Sequence, residues 1–202
     1  MTLSRADRPA GAGTVRRYVL TGAPGSGKTA VLRLLEARGH PVVEEAATDV
    51  IALEQALGTD EPWADPAFID KIVTLQRQRQ EHTTPGVEAG STPGARGLAF
   101  FDRSVVCTLA LSRYLGFATS PLLSSEIDRV LQERIYRPEV FFIRNRGEIA
   151  PTAARRISFS ESLAFEQVHE AIYRDLGFTL VDIPAGPVHQ RATLVEATAT
   201  LG

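Results

Sequence analysis

Short apolar runs alternate along the chain with longer stretches of helical periodicity. Tyr18-Val19-Leu20-Thr21 is rich in β-formers and ends at Gly22, which predicts a first strand. From Lys28 to Arg38, Val31, Leu32, Leu34 and Leu35 recur at helical spacing, and Gly39 supplies a stop. Pro41-Val42-Val43 predicts a second strand. Residues 45–57 place Ala46, Ala47, Val50, Ile51, Leu53 and Leu57 on a helical pattern before Gly58. Asp65-Pro66 reads as a cap followed by Pro at the first helical position. The helix it opens carries Phe68, Ile69, Ile72, Val73 and Leu75, and its polar exit Gln76–Gln80 predicts a solvated end. Leu98-Ala99-Phe100-Phe101 is apolar on both faces, the pattern of a central parallel strand. A helix with Val105, Val106, Leu109, Ala110 and Tyr114 follows and stops at Gly116. Ser125 to Asp128 resembles a capping box for the next helix, which ends before Pro138. Val140-Phe141-Phe142-Ile143 and Phe178-Thr179-Leu180-Val181 predict two more strands. Between them, Ser158 with Glu161 predicts the start of a helix, and a last helix begins near Pro187.

Strands alternating with helices imply an α/β fold with a parallel sheet covered on both faces. Residues 1–14, rich in Ala, Gly, Arg, Asp and Pro, have little to pack and are expected to form a disordered tail. Residues 15–202 are expected to form a single domain. Within it, the Gly-, Pro-, Ser- and Thr-rich stretch at about 83–97 predicts a mobile loop.

Composition narrows the function. The 202 residues include 44% hydrophobic side chains, and 22 basic against 24 acidic groups give a net charge of −2. That balance is wrong for a general nucleic-acid coat, so no nucleic-acid partner is expected. No 18-residue apolar run predicts a membrane span. The one cysteine, Cys107, rules out an internal disulfide and fits a reducing compartment, so a cytoplasmic location is expected. Of the 22 basic residues only Lys28 and Lys71 are Lys. Codon bias accounts for abundant Arg, but it makes each retained Lys informative.

Lys28 sits in Gly22-Ala23-Pro24-Gly25-Ser26-Gly27-Lys28-Thr29, the pattern G-x-x-x-x-G-K-[ST] directly after a strand and opening a helix. This is the phosphate-binding P-loop. Its glycines let backbone N–H groups curl round phosphate oxygens, and the helix aims its N-terminus at the same anion. The nucleotide-binding set is thus Gly22 through Thr29 with Ala30. Lys28 is expected on the β- and γ-phosphates and Thr29 on Mg²⁺. The glycine spacing does not fit G-x-G-x-x-G, so a Rossmann dinucleotide site is excluded.

Other candidates fall at strand ends. Asp102 follows an apolar strand, where a Walker B acid holds Mg²⁺ or takes a proton; Asp is also apt as a helix cap. No Glu follows it, which counts against a protein-remodelling motor. Glu44-Glu45 ends the second strand, and Glu45 is the candidate proton acceptor, although a carboxylate there also suits the helix dipole. Arg144, Arg146, Arg155 and Arg156 occupy an irregular segment, about 144–158, that would form a lid. Arg155 and Arg156 are the candidates for phosphate charge, against a surface role in an Arg-biased chain. Trp63, Phe68 and Tyr114 are candidates for an acceptor pocket or, for the last two especially, the core. The four histidines lack metal-ligand spacing, and Cys107 reads as a small core residue.

Together, the P-loop, Val42-Val43-Glu44-Glu45-Ala46-Ala47, Glu61-Pro62-Trp63, Phe101-Asp102-Arg103-Ser104 and Arg155-Arg156 with Ser158-Phe159 resemble the small stand-alone P-loop proteins labelled AAA-family ATPases. These are similar to the kinase domain of nicotinamide riboside kinases and to nucleoside and nucleotide kinases. The resemblance spans most of residues 17–200. It implies a P-loop NTPase three-layer sandwich of about five parallel strands with helices on both faces, the P-loop strand central, and a kinase-like lid. It also implies an Arg103 that faces nucleotide or acceptor. The expected activity is Mg²⁺-dependent transfer of the γ-phosphate of ATP or GTP to a hydroxyl of an unidentified, nucleoside-like or other small molecule. Lys28, Glu45, Asp102, Arg103, Arg155 and Arg156 form the catalytic set. The alternative is a nucleotide-dependent switch or slow NTPase that binds a partner or lipid.

Overall fold

The structure, a computed structural model, describes residues 15–83, 97–145 and 159–202. The expected tail, nearly all of the expected mobile loop, and Arg146, Arg155, Arg156 and Ser158 of the expected lid lie outside the described residues. Five strands form one parallel sheet: β1 (Arg16–Thr21), β2 (Val42–Val43), β3 (Leu98–Asp102), β4 (Glu139–Ile143) and β5 (Thr179–Ile183). Their spatial order is β2-β3-β1-β4-β5, with the P-loop strand at the centre. The expected fold is therefore the observed one.

Alternation along each strand divides the core into two layers. Tyr18 and Leu20 of β1, Phe100 of β3 and Phe141 of β4 face α1 (Lys28–Ala37) and α7 (Val188–Leu201), meeting Val31, Leu32, Leu35 and Val195. Val19, Ala99, Phe101 and Val140 point the other way. They meet α2 (Ala46–Ala56), α3 (Ala67–His82), α4 (Val105–Tyr114), α5 (Pro121–Gln132) and α6 (Phe159–Asp175). All five residues of β3 are buried, as its two-sided apolarity requires. Each buried Phe contributes about 1.5–3 kcal/mol of transfer free energy.

Helix ends differ from their sequence pattern in two instructive places. Helix α5 begins at Pro121, four residues before the expected capping box at Ser125. Ser120 is the cap, its hydroxyl accepting from the Leu123 N–H at 3.1 Å, and Pro121 takes the first helical position. Glu126, inside the expected Ser125–Asp128 box, is instead buried mid-helix and held by Arg129 at 2.6 Å. The polar exit of α3 is likewise only partly solvated. Gln80 is buried, and its Oε1 accepts from Arg129 Nη2 at 2.7 Å. Neither inward-facing polar group announces itself in a hydrophobic pattern, because a buried polar side chain looks like a surface one until its partner is known.

Candidate active site

The carboxyl ends of β1, β2 and β3 converge where the strand order reverses around β1, the place where open parallel sheets bind ligands. Residues 22–27 leave β1 as a tight loop and feed α1. Gly22, Gly25 and Gly27 all have positive φ, which glycine adopts without strain. Gly22 is further constrained by packing, since a Cβ there would stand 2.4 Å from the Ile143 carbonyl oxygen of β4. Lys28 is buried at the first turn of α1. Its Nζ donates to the carbonyls of Gly22 at 3.2 Å and Ala23 at 3.4 Å, so the side chain curls back over its own loop. Burial, reinforced by the Arg103 charge, lowers its pKa to about 8.

Asp102 ends β3 opposite Leu20 of β1. It is only 7% exposed, and its Oδ1 has no hydrogen-bond partner among the described residues. Burial, reinforced by Glu45, raises its carboxyl above the usual range against the opposing pull of Lys28. Arg103 follows in the left-handed region at φ 70°, an uncommon conformation for a non-glycine residue. Its N–H donates to the Leu20 carbonyl at 3.0 Å. Its Nε lies 2.6 Å from Glu45 Oε1, an ionic contact whose angle departs from a straight hydrogen bond. Burial works against the Glu45 carboxylate, but Arg103 and Lys28 outweigh it and hold its pKa below the usual value. Arg103 Nη1 approaches His169 Nε2 at 3.3 Å, and His169 Nδ1 is 2.9 Å from the Phe165 carbonyl. A neutral imidazole satisfies both: Nδ1–H donates and Nε2 accepts. Burial and the Arg103 charge lower this pKa to about 3.

Glu45 owes its place to α3. Arg79 Nη1 donates to the carbonyls of Glu44 at 3.1 Å and Glu45 at 2.6 Å, and its other arm pairs with Asp49. Beneath the loop runs a buried polar chain. Thr21 Oγ1 is 3.3 Å from Cys107 Sγ, which is 3.1 Å from Tyr173 Oη, itself 2.8 Å from Ser104 Oγ. Cys107 is thus a core residue with polar contacts on two sides.

A cleft of about 230 Å³ opens beside Thr29, between Glu45, Asp102 and the α2 residues Thr48 and Asp49. Lys28, Thr29, Glu45, Asp102 and Arg103 are brought together at this cleft or its floor. Arg144 is held elsewhere. Glu166, Glu170 and Asp182 bind its guanidinium, which lies 4.4 Å over the Phe142 ring. Phe68 is core, and Trp63 packs partly buried against it. Sequence reasoning missed Arg33, which lines the cleft and pairs with Glu44. It also missed Asp49 and His169. Helical spacing could have found the first two, since Arg33 is four residues after Thr29 and Asp49 four after Glu45. Nothing in the pattern marks His169.

The donors suit a nucleotide phosphate chain with Mg²⁺. The loop is shaped round glycine, an ammonium rests on its rim, and a buried carboxylate oxygen has no hydrogen-bond partner among the described residues. No group of three His, Cys, Asp or Glu among the described residues would hold a metal unaided. Mg²⁺ normally relies on one or two protein oxygens plus substrate phosphates and water, which is what Thr29 and Asp102 offer.

Fold and loop together define a P-loop α/β protein, its phosphate loop set at the end of the central strand. The chain belongs to the AAA domain family, which matches residues 17–191. Similar solved structures include a NadR protein in complex with NAD and AMP-PNP (15% identity, TM-score 0.61), matched over 92% of this chain and 49% of that one. This chain therefore spans about half the length of NadR. A deoxyadenosine kinase from M. mycoides, solved with dCMP and dCDP, matches at 12% identity and TM-score 0.60 over 92% of this chain and 100% of that one. Thymidylate kinase from Ehrlichia chaffeensis matches at 14% identity and TM-score 0.56, covering 92% and 98%. No curated protein sequence matches. Among the described residues no helix is long and apolar enough to cross a membrane.

Proposed function

We propose that this protein is a small-molecule kinase that moves the γ-phosphate of ATP or GTP to an acceptor hydroxyl. The observation that carries the reading is the cleft beside Thr29, where Glu45 and Asp102 line the wall next to the phosphate loop. Backbone N–H groups of the 22–30 segment, Pro24 excepted because it has none, and Lys28 bind the triphosphate. Thr29 and Asp102 would hold Mg²⁺, which supplies neutralising charge to the phosphates when bound. The buried Asp102 carboxylate, with its pKa raised by desolvation, suits a cation more than open solvent. Glu45, more exposed than Asp102, accepts the acceptor's hydroxyl proton as the new O–P bond forms and the bond from the γ-phosphorus to the β–γ bridging oxygen breaks, releasing ADP or GDP. Its modest basicity is adequate because a loose phosphoryl-transfer transition state needs orientation more than strong deprotonation. Arg103 orients Glu45 and adds positive charge at the floor. In this reading Arg155 and Arg156 supply further charge from the lid segment, the acceptor is nucleoside-like or another hydroxyl metabolite, and the setting is cytoplasmic.

The test is acceptor dependence. Purified protein is incubated with γ-labelled ATP or GTP, Mg²⁺ and a library of hydroxyl metabolites, and mass spectrometry follows the label. We expect one chemical class to be phosphorylated and to accelerate triphosphate consumption. Slow phosphate release that no metabolite accelerates would sink the kinase reading and leave the slow NTPase or nucleotide switch in its place.

A further inference from the structure

Arg191 of α7 is 97% buried, since only 3% of its surface is exposed, although it is a charged side chain outside the cleft. Removing a guanidinium from water is costly unless its N–H groups find acceptors. Arg191 Nη1 donates to the Ser26 carbonyl of the phosphate loop at 2.6 Å, and Nη2 donates to the Arg144 carbonyl at 2.8 Å. Resting on the reading of Gly22–Thr29 as the nucleotide site, we infer that Arg191 is a positioning residue that sets the phosphate loop against the end of β4.

Three features support this role. The first is peptide geometry. A trans peptide is planar, with its C=O and N–H pointing in opposite directions. Fixing the Ser26 carbonyl on Arg191 therefore fixes the Gly27 N–H pointing away from Arg191, at the step where the loop enters α1. The second is the rigidity of the other anchor. Arg144 N–H donates to Ile183 O at 3.0 Å, while its side chain is gripped by Glu166, Glu170 and Asp182. The third is the same seam seen at Gly22, where only a missing Cβ lets the loop approach Ile143, the residue before Arg144. A planar fork holds two carbonyls at a set separation, which a lysine ammonium does not reproduce.

The experiment measures binding of tripolyphosphate, ATP and GTP by calorimetry, far below the melting temperature. It compares the wild type with Arg191→Lys and Arg191→Met. We expect Arg191→Met to weaken tripolyphosphate and triphosphate binding by the same factor, about tenfold or more. Arg191→Lys should stay folded by circular dichroism and show an intermediate loss for both probes. Equal loss on the base-free probe is what a phosphate-loop role requires and a general packing role does not. If Arg191→Met does not fold, Arg191→Lys decides the matter. Folded variants that bind both probes as tightly as wild type overturn the inference while leaving the kinase reading intact. A wild type that binds neither tripolyphosphate nor triphosphate overturns the nucleotide-site reading, and this inference with it.

Discussion

At the scale of single residues, Gly22 and Lys28 are set by geometry that few other side chains meet. Gly22 combines a φ of 135° with a Cβ position 2.4 Å from a backbone oxygen. Backbone cannot yield as a flexible side chain can, so Gly22→Ala should cost about 2–4 kcal/mol. A shift of the urea midpoint without a change in slope would check this; an unchanged midpoint would show that the loop relaxes freely. Glu45 makes the chemical counterpart. Glu45→Gln keeps the shape and the Thr48 contact at 3.2 Å but removes the charge facing Arg103. In the kinase reading we expect kcat to fall by about 10²–10⁴ with nucleotide affinity nearly retained. A variant with full kcat would move the proton to another acceptor.

At the scale of elements, α4 and α6 are joined by hydroxyls as well as by apolar packing. Ser104 caps α4, its Oγ accepting from the Val106 N–H at 3.3 Å while also meeting Tyr173. Tyr173→Phe should cost about 1–2 kcal/mol by leaving Ser104 and Cys107 short of a partner. Combined with Ser104→Ala, it should give a coupling of about 0.5 kcal/mol or more in a denaturation cycle, whereas strict additivity would show that the two hydroxyls act independently. This layer also shows where the sequence is readable. The apolar runs at 98–101 and 140–143 located central strands because burial on both faces leaves only apolar residues there. The P-loop was legible because its glycines and Lys28 answer to a local backbone shape. Asp102 and Glu45 were found by their positions at strand ends. Tyr173, His169 and Arg191 were not readable. Each acts through a partner more than 60 residues away, Ser104, Arg103 and Ser26 respectively, and long-range pairing leaves no periodic trace.

At the scale of the whole molecule, three separate elements contribute charge to one constellation and a fourth contributes a neutral imidazole. Lys28 comes from α1, Glu45 from the entry to α2, Asp102 and Arg103 from the end of β3, and neutral His169 from α6. Two acids and two cations cancel formally, so in the kinase reading a triphosphate brings negative charge to a balanced set of side chains. The pH dependence follows from the two shifted bases. His169 in the folded chain stays unprotonated down to about pH 3, while in the unfolded chain it protonates near its ordinary value of 6.5. The unfolded state therefore binds more protons between these values, and stability falls as pH drops from 6.5 toward 3, by up to about 1.4 kcal/mol per pH unit for this group. Lys28 acts on binding instead. Its pKa near 8 among the protein groups must rise when phosphate binds, because an opposite charge favours the ammonium. Above pH 8 each binding event then takes up as much as one proton, so triphosphate affinity should fall by up to about tenfold per pH unit between pH 8 and the higher pKa of the complex. Calorimetry in buffers of different ionisation enthalpy at pH 9 would reveal that uptake. Affinity that is flat from pH 7 to 9.5, with no buffer dependence, would mean that Lys28 is already fully charged before the nucleotide binds.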